Sequence, residues 1–156
     1  MNSNNSLAHQ GHRLLQIGIA LLLFTSFEGF AIPHLSSPRI GLSVHTLSTF
    51  QAILLLALGL LWNKLKLGIL AARIAFWTLL YSAFAILAAY VIAAIWGVGN
   101  ETIILMGELP HGLHHGTESQ EMIIKILAYS SVVGIVSFSI ILWGLRSRQT
   151  SLGVEL

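Results

Sequence analysis

Four stretches of the chain are almost continuously apolar, roughly 14–33, 42–62, 71–96 and 122–145. Each holds the about 20 apolar residues that a helix needs to cross a hydrocarbon core of about 30 Å. None shows the period-two alternation of lipid-facing barrel strands, which argues against a β-barrel. The pattern predicts an all-α integral membrane protein, a four-helix bundle spanning residues 11–147. Arg73 sets the third crossing's entry a little way into its run. The first run is too long for a signal peptide, and Glu28, Pro33 and three later runs mark it as a retained helix. Polar residues dominate the start, so 1–10 is expected as a disordered N-terminal tail. Residues 148–156 are expected as a flexible C-terminal tail.

Charge and aromatic placement orient the spans. Trp62, Trp77, Trp96 and Trp143 all fall near span ends, the pattern of an interfacial aromatic belt. Arg13, Lys64, Lys66, Arg73, Arg146 and Arg148 fall on one side of the membrane, Arg39 and Lys125 on the other. The bias predicts an N-in/C-in topology, multi-pass, in the cytoplasmic (inner) membrane if the source is bacterial. The loop at about 97–121 is then external. Composition agrees with a bilayer as solvent: 55% of residues are hydrophobic and 9% charged, against about 25% charged in soluble domains. A net charge of +2 gives no reason to expect nucleic acid as a partner. There is no cysteine, which excludes disulfides, thiolate metal sites and cysteine nucleophiles. No internal repeat stands out.

Against this apolar background a few polar side chains are conspicuous. An ionisable group inside a span is a functional-site hypothesis by default. At about 1.5 Å per helical residue, His45 lies roughly 5 Å below the start of span two, Glu28 roughly 7 Å below the end of span one, and Tyr90 roughly 9 Å below the end of span three. Ser48 and Gln51 follow His45 at i+3 and i+6. Their common depth predicts one polar site in the outer half of the bilayer. Each residue also has a plainer explanation. On that explanation Glu28 is either protonated or paired with Arg39 or His34 to staple the first hairpin, Ser48 bonds its own helix, Gln51 joins helices, and Tyr90 is an interfacial aromatic. The residues alone leave His45 undecided between a metal or haem ligand and a structural polar group.

A second candidate is the His-rich segment Pro110–Gly116, with His111, His114 and His115. Its Gly and Pro content argues against a helix, so the spacing defines no ligand geometry, and a solvated loop is the favoured expectation. Phosphate-binding glycine loops, nucleophile elbows, His-Glu-x-x-His and paired-Asp sites are absent.

Several motifs carry a family resemblance. Gly11-His12-Arg13, Gly29-Phe30-Ala31-Ile32-Pro33, Pro38-Arg39-Ile40-Gly41-Leu42-Ser43-Val44-His45 and Trp96-Gly97-Val98-Gly99 resemble the hydroxylaminobenzene mutase family over most of 11–146. The Pro-Arg-x-Gly-Leu-Ser-x-His stretch is the most specific part. The resemblance implies a membrane isomerase that rearranges aryl hydroxylamines to aminophenols. A fainter resemblance, to styrene oxide isomerase, implies haem b at subunit interfaces of a trimer. It also implies His45 as axial iron ligand and Tyr90 as catalytic residue, with Gln51 where that family has Asn. Ferric haem would then act as a Lewis acid on a small aromatic substrate's oxygen. Glu28 is assigned no role by either resemblance. The alternatives are an epoxide isomerase, a non-enzymatic haem or metal-binding membrane protein, and a cofactor-free scaffold. Only His45 lies clearly within a span, which favours one axial ligand and an open face over bis-histidine electron transfer.

Overall fold

The computed structural model describes residues 3–99, 102–103 and 116–146. Helix α1 runs Ser3–Ala31 and ends in a 3-10 turn at Ile32–His34, where Pro33 interrupts the backbone donor pattern. Ser37 caps α2, Pro38–Leu61, by accepting from the Ile40 amide, with Pro38 in the first helical turn. Helix α3, Ile69–Trp96, stops at Gly97, whose φ of 69° is a left-handed conformation that suits glycine. Helix α4, Glu118–Ser130, opens with a capping box in which Thr117 and Gln120 exchange hydrogen bonds. After a 3-10 turn at Ser131–Val133, α5 continues as Gly134–Gly144. α4 and α5 together form the fourth span, so four helices are long and apolar enough to cross a membrane. No strand occurs among the described residues.

Helix α1 begins inside the segment expected as an irregular tail. Leu7 is buried there, and Gln10 accepts from the Trp62 indole at 3.1 Å. The tail residues find partners at the end of α2, and that is what extends the helix.

Association of apolar helices in lipid rests on close packing, since lipid is as apolar as leucine. The α1–α2 pair shows this. A Cβ on Gly11 would sit 3.0 Å from the Gly59 carbonyl oxygen, and a Cβ on Gly18 2.8 Å from Leu56. The missing side chains are what let the two backbones meet. α3 occupies the middle: α2 and α1 pack on one side of it, α4 and α5 on the other. No Cα of α1 or α2 comes within 8 Å of one in α4 or α5 among the described residues. The four spans therefore form an open row around α3 more than a closed square. Hydroxyls bond across the row, Ser137 to the Ala75 carbonyl at 2.8 Å and Ser82 to the Ser131 carbonyl at the break in span four.

The tryptophans divide. Trp77 and Trp143 are 59% and 71% exposed, as a lipid-facing belt requires, but Trp62 is fully buried. Its ring stands edge-on to Phe76 with centroids 6.2 Å apart. Trp62 is thus a core residue rather than a member of the belt, because α1 extends far enough to cover it.

Candidate functional site

The polar site is built where α1 ends and α2 begins. Glu28 and His45 face each other across the hairpin, with Glu28 Oε2 3.2 Å from His45 Nδ1. The Glu28 side chain is 8% exposed and that of His45 40%. A carboxylate only accepts hydrogen bonds, so an ionised Glu28 requires the proton on Nδ1. The other nitrogen, Nε2, is not engaged by the carboxylate. Glu28 Oε1 is buried without a hydrogen-bond partner among the described residues. Gly29 lies against the imidazole: a Cβ there would meet His45 Cε1 at 3.3 Å and Nδ1 at 3.4 Å.

One turn deeper, a hydroxyl pair continues the contact. The Thr25 hydroxyl lies 2.8 Å from Ser48 Oγ and 2.8 Å from the Leu21 carbonyl, and its single proton serves one at a time. Ser48 Oγ donates to the His45 carbonyl at 3.1 Å. Ser48 therefore bonds its own helix, as expected, and also accepts from α1. Behind the pair, Phe24, Glu28, Val44, Val91 and Ala94 help line an apolar cavity of about 190 Å³. It shares Phe24 and Val91 with a larger groove of about 470 Å³ between α1 and α3.

Two expected members lie elsewhere. Gln51 turns to α3, where its Nε2 donates to the Ala83 carbonyl at 3.1 Å and its Oε1 is buried without a partner among the described residues. Tyr90 is half-buried in a groove of about 410 Å³ with Leu42, Ser43, Thr46, Leu47 and Phe50. Successive residues of an α-helix are about 100° apart. Thr46 and Leu47 thus lie about 100° and 200° around α2 from His45, whose ring meets α1. One chain gathers Glu28, His45, Ser48 and Thr25 but does not bring Tyr90 or Gln51 to the imidazole.

The anticipated ion pair is also revised: Glu28 meets His45 rather than Arg39 or His34. Arg39 is exposed in the first turn of α2. Sequence reasoning missed Thr25 and Gly29. Thr25 is three residues before Glu28, hence on the same face, a signal that was available. His111, His114 and His115 lie outside the described residues. Glu121, read as a loop residue, sits in the first turn of α4 and accepts from the Gly99 amide at 2.8 Å.

Among the described residues no three His, Cys, Asp or Glu side chains gather to hold a bare metal ion. A haem asks for less. One imidazole suffices as axial donor, and metal-bound histidines commonly give their second N–H to a carboxylate. His45 fits that donor set: Nδ1 on Glu28, Nε2 free of the pair, and the ring at a half-exposed surface.

Four helices long and apolar enough to cross a membrane, with a carboxylate–imidazole pair at the first hairpin, define a small helical membrane protein. The styrene oxide isomerase family model matches residues 10–146, and the chain belongs to that family. It is 40% identical over 136 residues to hydroxylaminobenzene mutase HabB of Ectopseudomonas oleovorans, covering 86% of this chain and 80% of that protein. To hydroxylaminobenzene mutase HabA of the same organism it is 29% identical over 129 residues, covering 83% and 93%. No solved structure matches the chain. The protein is a membrane isomerase.

Proposed function

We propose that this isomerase rearranges an aryl hydroxylamine to an aminophenol at a haem b held by His45. The substrate class is supported by the 40% identical relative named hydroxylaminobenzene mutase. The observation that carries the site is the Glu28–His45 contact, 3.2 Å long, which occupies Nδ1 and leaves Nε2 as the ligating nitrogen. When bound, the haem supplies a Lewis-acidic ferric iron toward the N–O oxygen. The rearrangement needs no external redox partner. The N–O bond breaks, a C–O bond forms on the ring, and the displaced ring proton is balanced by one gained at nitrogen.

The protein's own part is to hold and to exclude. Tyr90 donates a hydrogen bond to the departing oxygen. Gln51 pins α2 to α3 and so positions Tyr90. Apolar helix faces admit the aromatic body from the bilayer and keep out water that would capture an electron-poor ring. Since Tyr90 and His45 lie on different faces of α2, the site is completed across the interface of a homo-oligomer, a trimer by the family resemblance. The positive-charge bias supports an orientation with both termini in the cytoplasm.

A second reading, epoxide isomerisation, is favoured by the family description. Turnover of phenylhydroxylamine against styrene oxide separates the two. For the cofactor, protein purified in detergent is expected to show a Soret band that disappears in His45→Ala. Absence of that band after expression with ample haem overturns the haem-dependent part.

A further inference from the structure

Glu28 is an expensive residue to keep inside a membrane span, and it is aimed at one specific partner. Its Oε2 meets His45 Nδ1 at 3.2 Å, and its Oε1 is buried with no hydrogen-bond partner among the described residues. The side chain is 8% exposed, in surroundings formed by Phe24, Ala31, Val44 and Ile95. Low polarity strengthens the hydrogen bond it makes to His45. The ring at the other end of that bond is fixed as well. It lies against the backbone at Gly29, where even a methyl group would press on Cε1 at 3.3 Å. The ring is thus held on its Nδ1 side by Glu28 and the backbone at Gly29, while the side chain as a whole remains half-exposed.

We infer that Glu28 is a positioning residue for His45. It holds the imidazole as the tautomer protonated on Nδ1, and by drawing on that proton it makes Nε2 a stronger electron donor. A ligand nitrogen of this kind stabilises ferric over ferrous iron, keeping a bound haem in the oxidised state that Lewis-acid chemistry requires. The electronic half of this inference rests on the haem reading above; the tautomer half does not.

The test uses the full-length protein in detergent or nanodiscs. Nitrogen-15 NMR of the haem-free protein, recorded alkaline to the ordinary histidine range, is expected to show His45 protonated on Nδ1. In Glu28→Leu this preference is lost, and in Glu28→Gln it weakens, because the amide can either accept from Nδ1–H or donate to an unprotonated Nδ1. A wild-type His45 protonated on Nε2 overturns the inference. In the haem-loaded protein, Glu28→Gln is expected to retain a Soret band. Its ferric/ferrous midpoint is expected to move positive by on the order of a tenfold change in equilibrium, about 59 mV for one electron. The iron–histidine stretch of the ferrous form should fall in frequency. An unchanged midpoint and stretch in Glu28→Gln overturn the electronic role. If wild type binds no haem, the haem reading and the electronic role fall together, and NMR alone decides the tautomer.

Discussion

Mixing two inactive variants tests whether the active site is shared between copies. His45→Ala removes the proposed axial donor and keeps Tyr90; Tyr90→Phe removes the phenol and keeps His45. Within one chain these residues lie on different faces of α2, since Tyr90 shares its groove with Thr46 and Leu47 while His45 meets Glu28 on α1. If a site takes His45 from one copy and Tyr90 from the next, co-assembled variants rebuild some sites. A site is intact when a His45-bearing copy is followed by a Tyr90-bearing one. For equal amounts and random assembly that is one half times one half, so about one quarter of wild-type activity returns, independent of ring size. Each variant alone returns almost none. The assay is co-expression with two affinity tags, tandem purification to prove mixed oligomers, and turnover of phenylhydroxylamine. Tandem purification enriches mixed rings and raises the fraction somewhat. Mixed oligomers with no recovered activity refute the shared site.

Other expectations follow from the packing. Gly59→Val forces a branched side chain onto the Gly11 carbonyl oxygen, 3.0 Å from its Cβ, and should cost about 1–3 kcal/mol, the usual range for overpacking, read as a lower thermal midpoint in detergent. Gly29→Ala presses on the His45 ring at 3.3 Å; haem affinity should fall while the thermal midpoint of the haem-free protein stays near wild type. Trp62 is fully buried and Trp77 and Trp143 are exposed, so brominated lipids should leave a protected fluorescence component that vanishes in Trp62→Phe; its persistence would contradict the core placement. Gly134→Ala collides with the Ser82 side chain, so it should destabilise, and Ser82→Gly should restore part of the loss despite removing a hydrogen bond.

Position along each helix was legible in the sequence, and rotation about each helix axis was not. Run length gave the four helices long and apolar enough to cross a membrane, and a rise of about 1.5 Å per residue put Glu28 near the level of His45, which it contacts. The same arithmetic put Tyr90 and Gln51 at similar depth but carried no information on azimuth. Azimuth is set by where glycines let backbones approach, at Gly11, Gly18 and Gly59. Those approaches turn His45 toward α1 and Gln51 toward α3. Trp62 was misread for a related reason: a tryptophan at a span end faces lipid only if no neighbouring helix covers it. The break at Ser131–Val133 left little trace in the hydrophobic pattern, because every residue around it is small or apolar. The Glu28–His45 contact joins positions 17 apart across a turn, and only the fold shows which of several basic side chains the carboxyl group meets.

The open row has a consequence for how the protein is made. Apart from α1 touching α3, every packed pair of spans is consecutive in the chain. No span waits for a distant partner, so the contact order is low and assembly can follow synthesis. The glycine-packed hairpin of α1 and α2, which holds Glu28 against His45, lies wholly N-terminal to α3, so it can form before α3 is synthesised. The Glu28–His45 pair therefore belongs to the part of the protein that can fold first, and α3 packs onto a hairpin already formed.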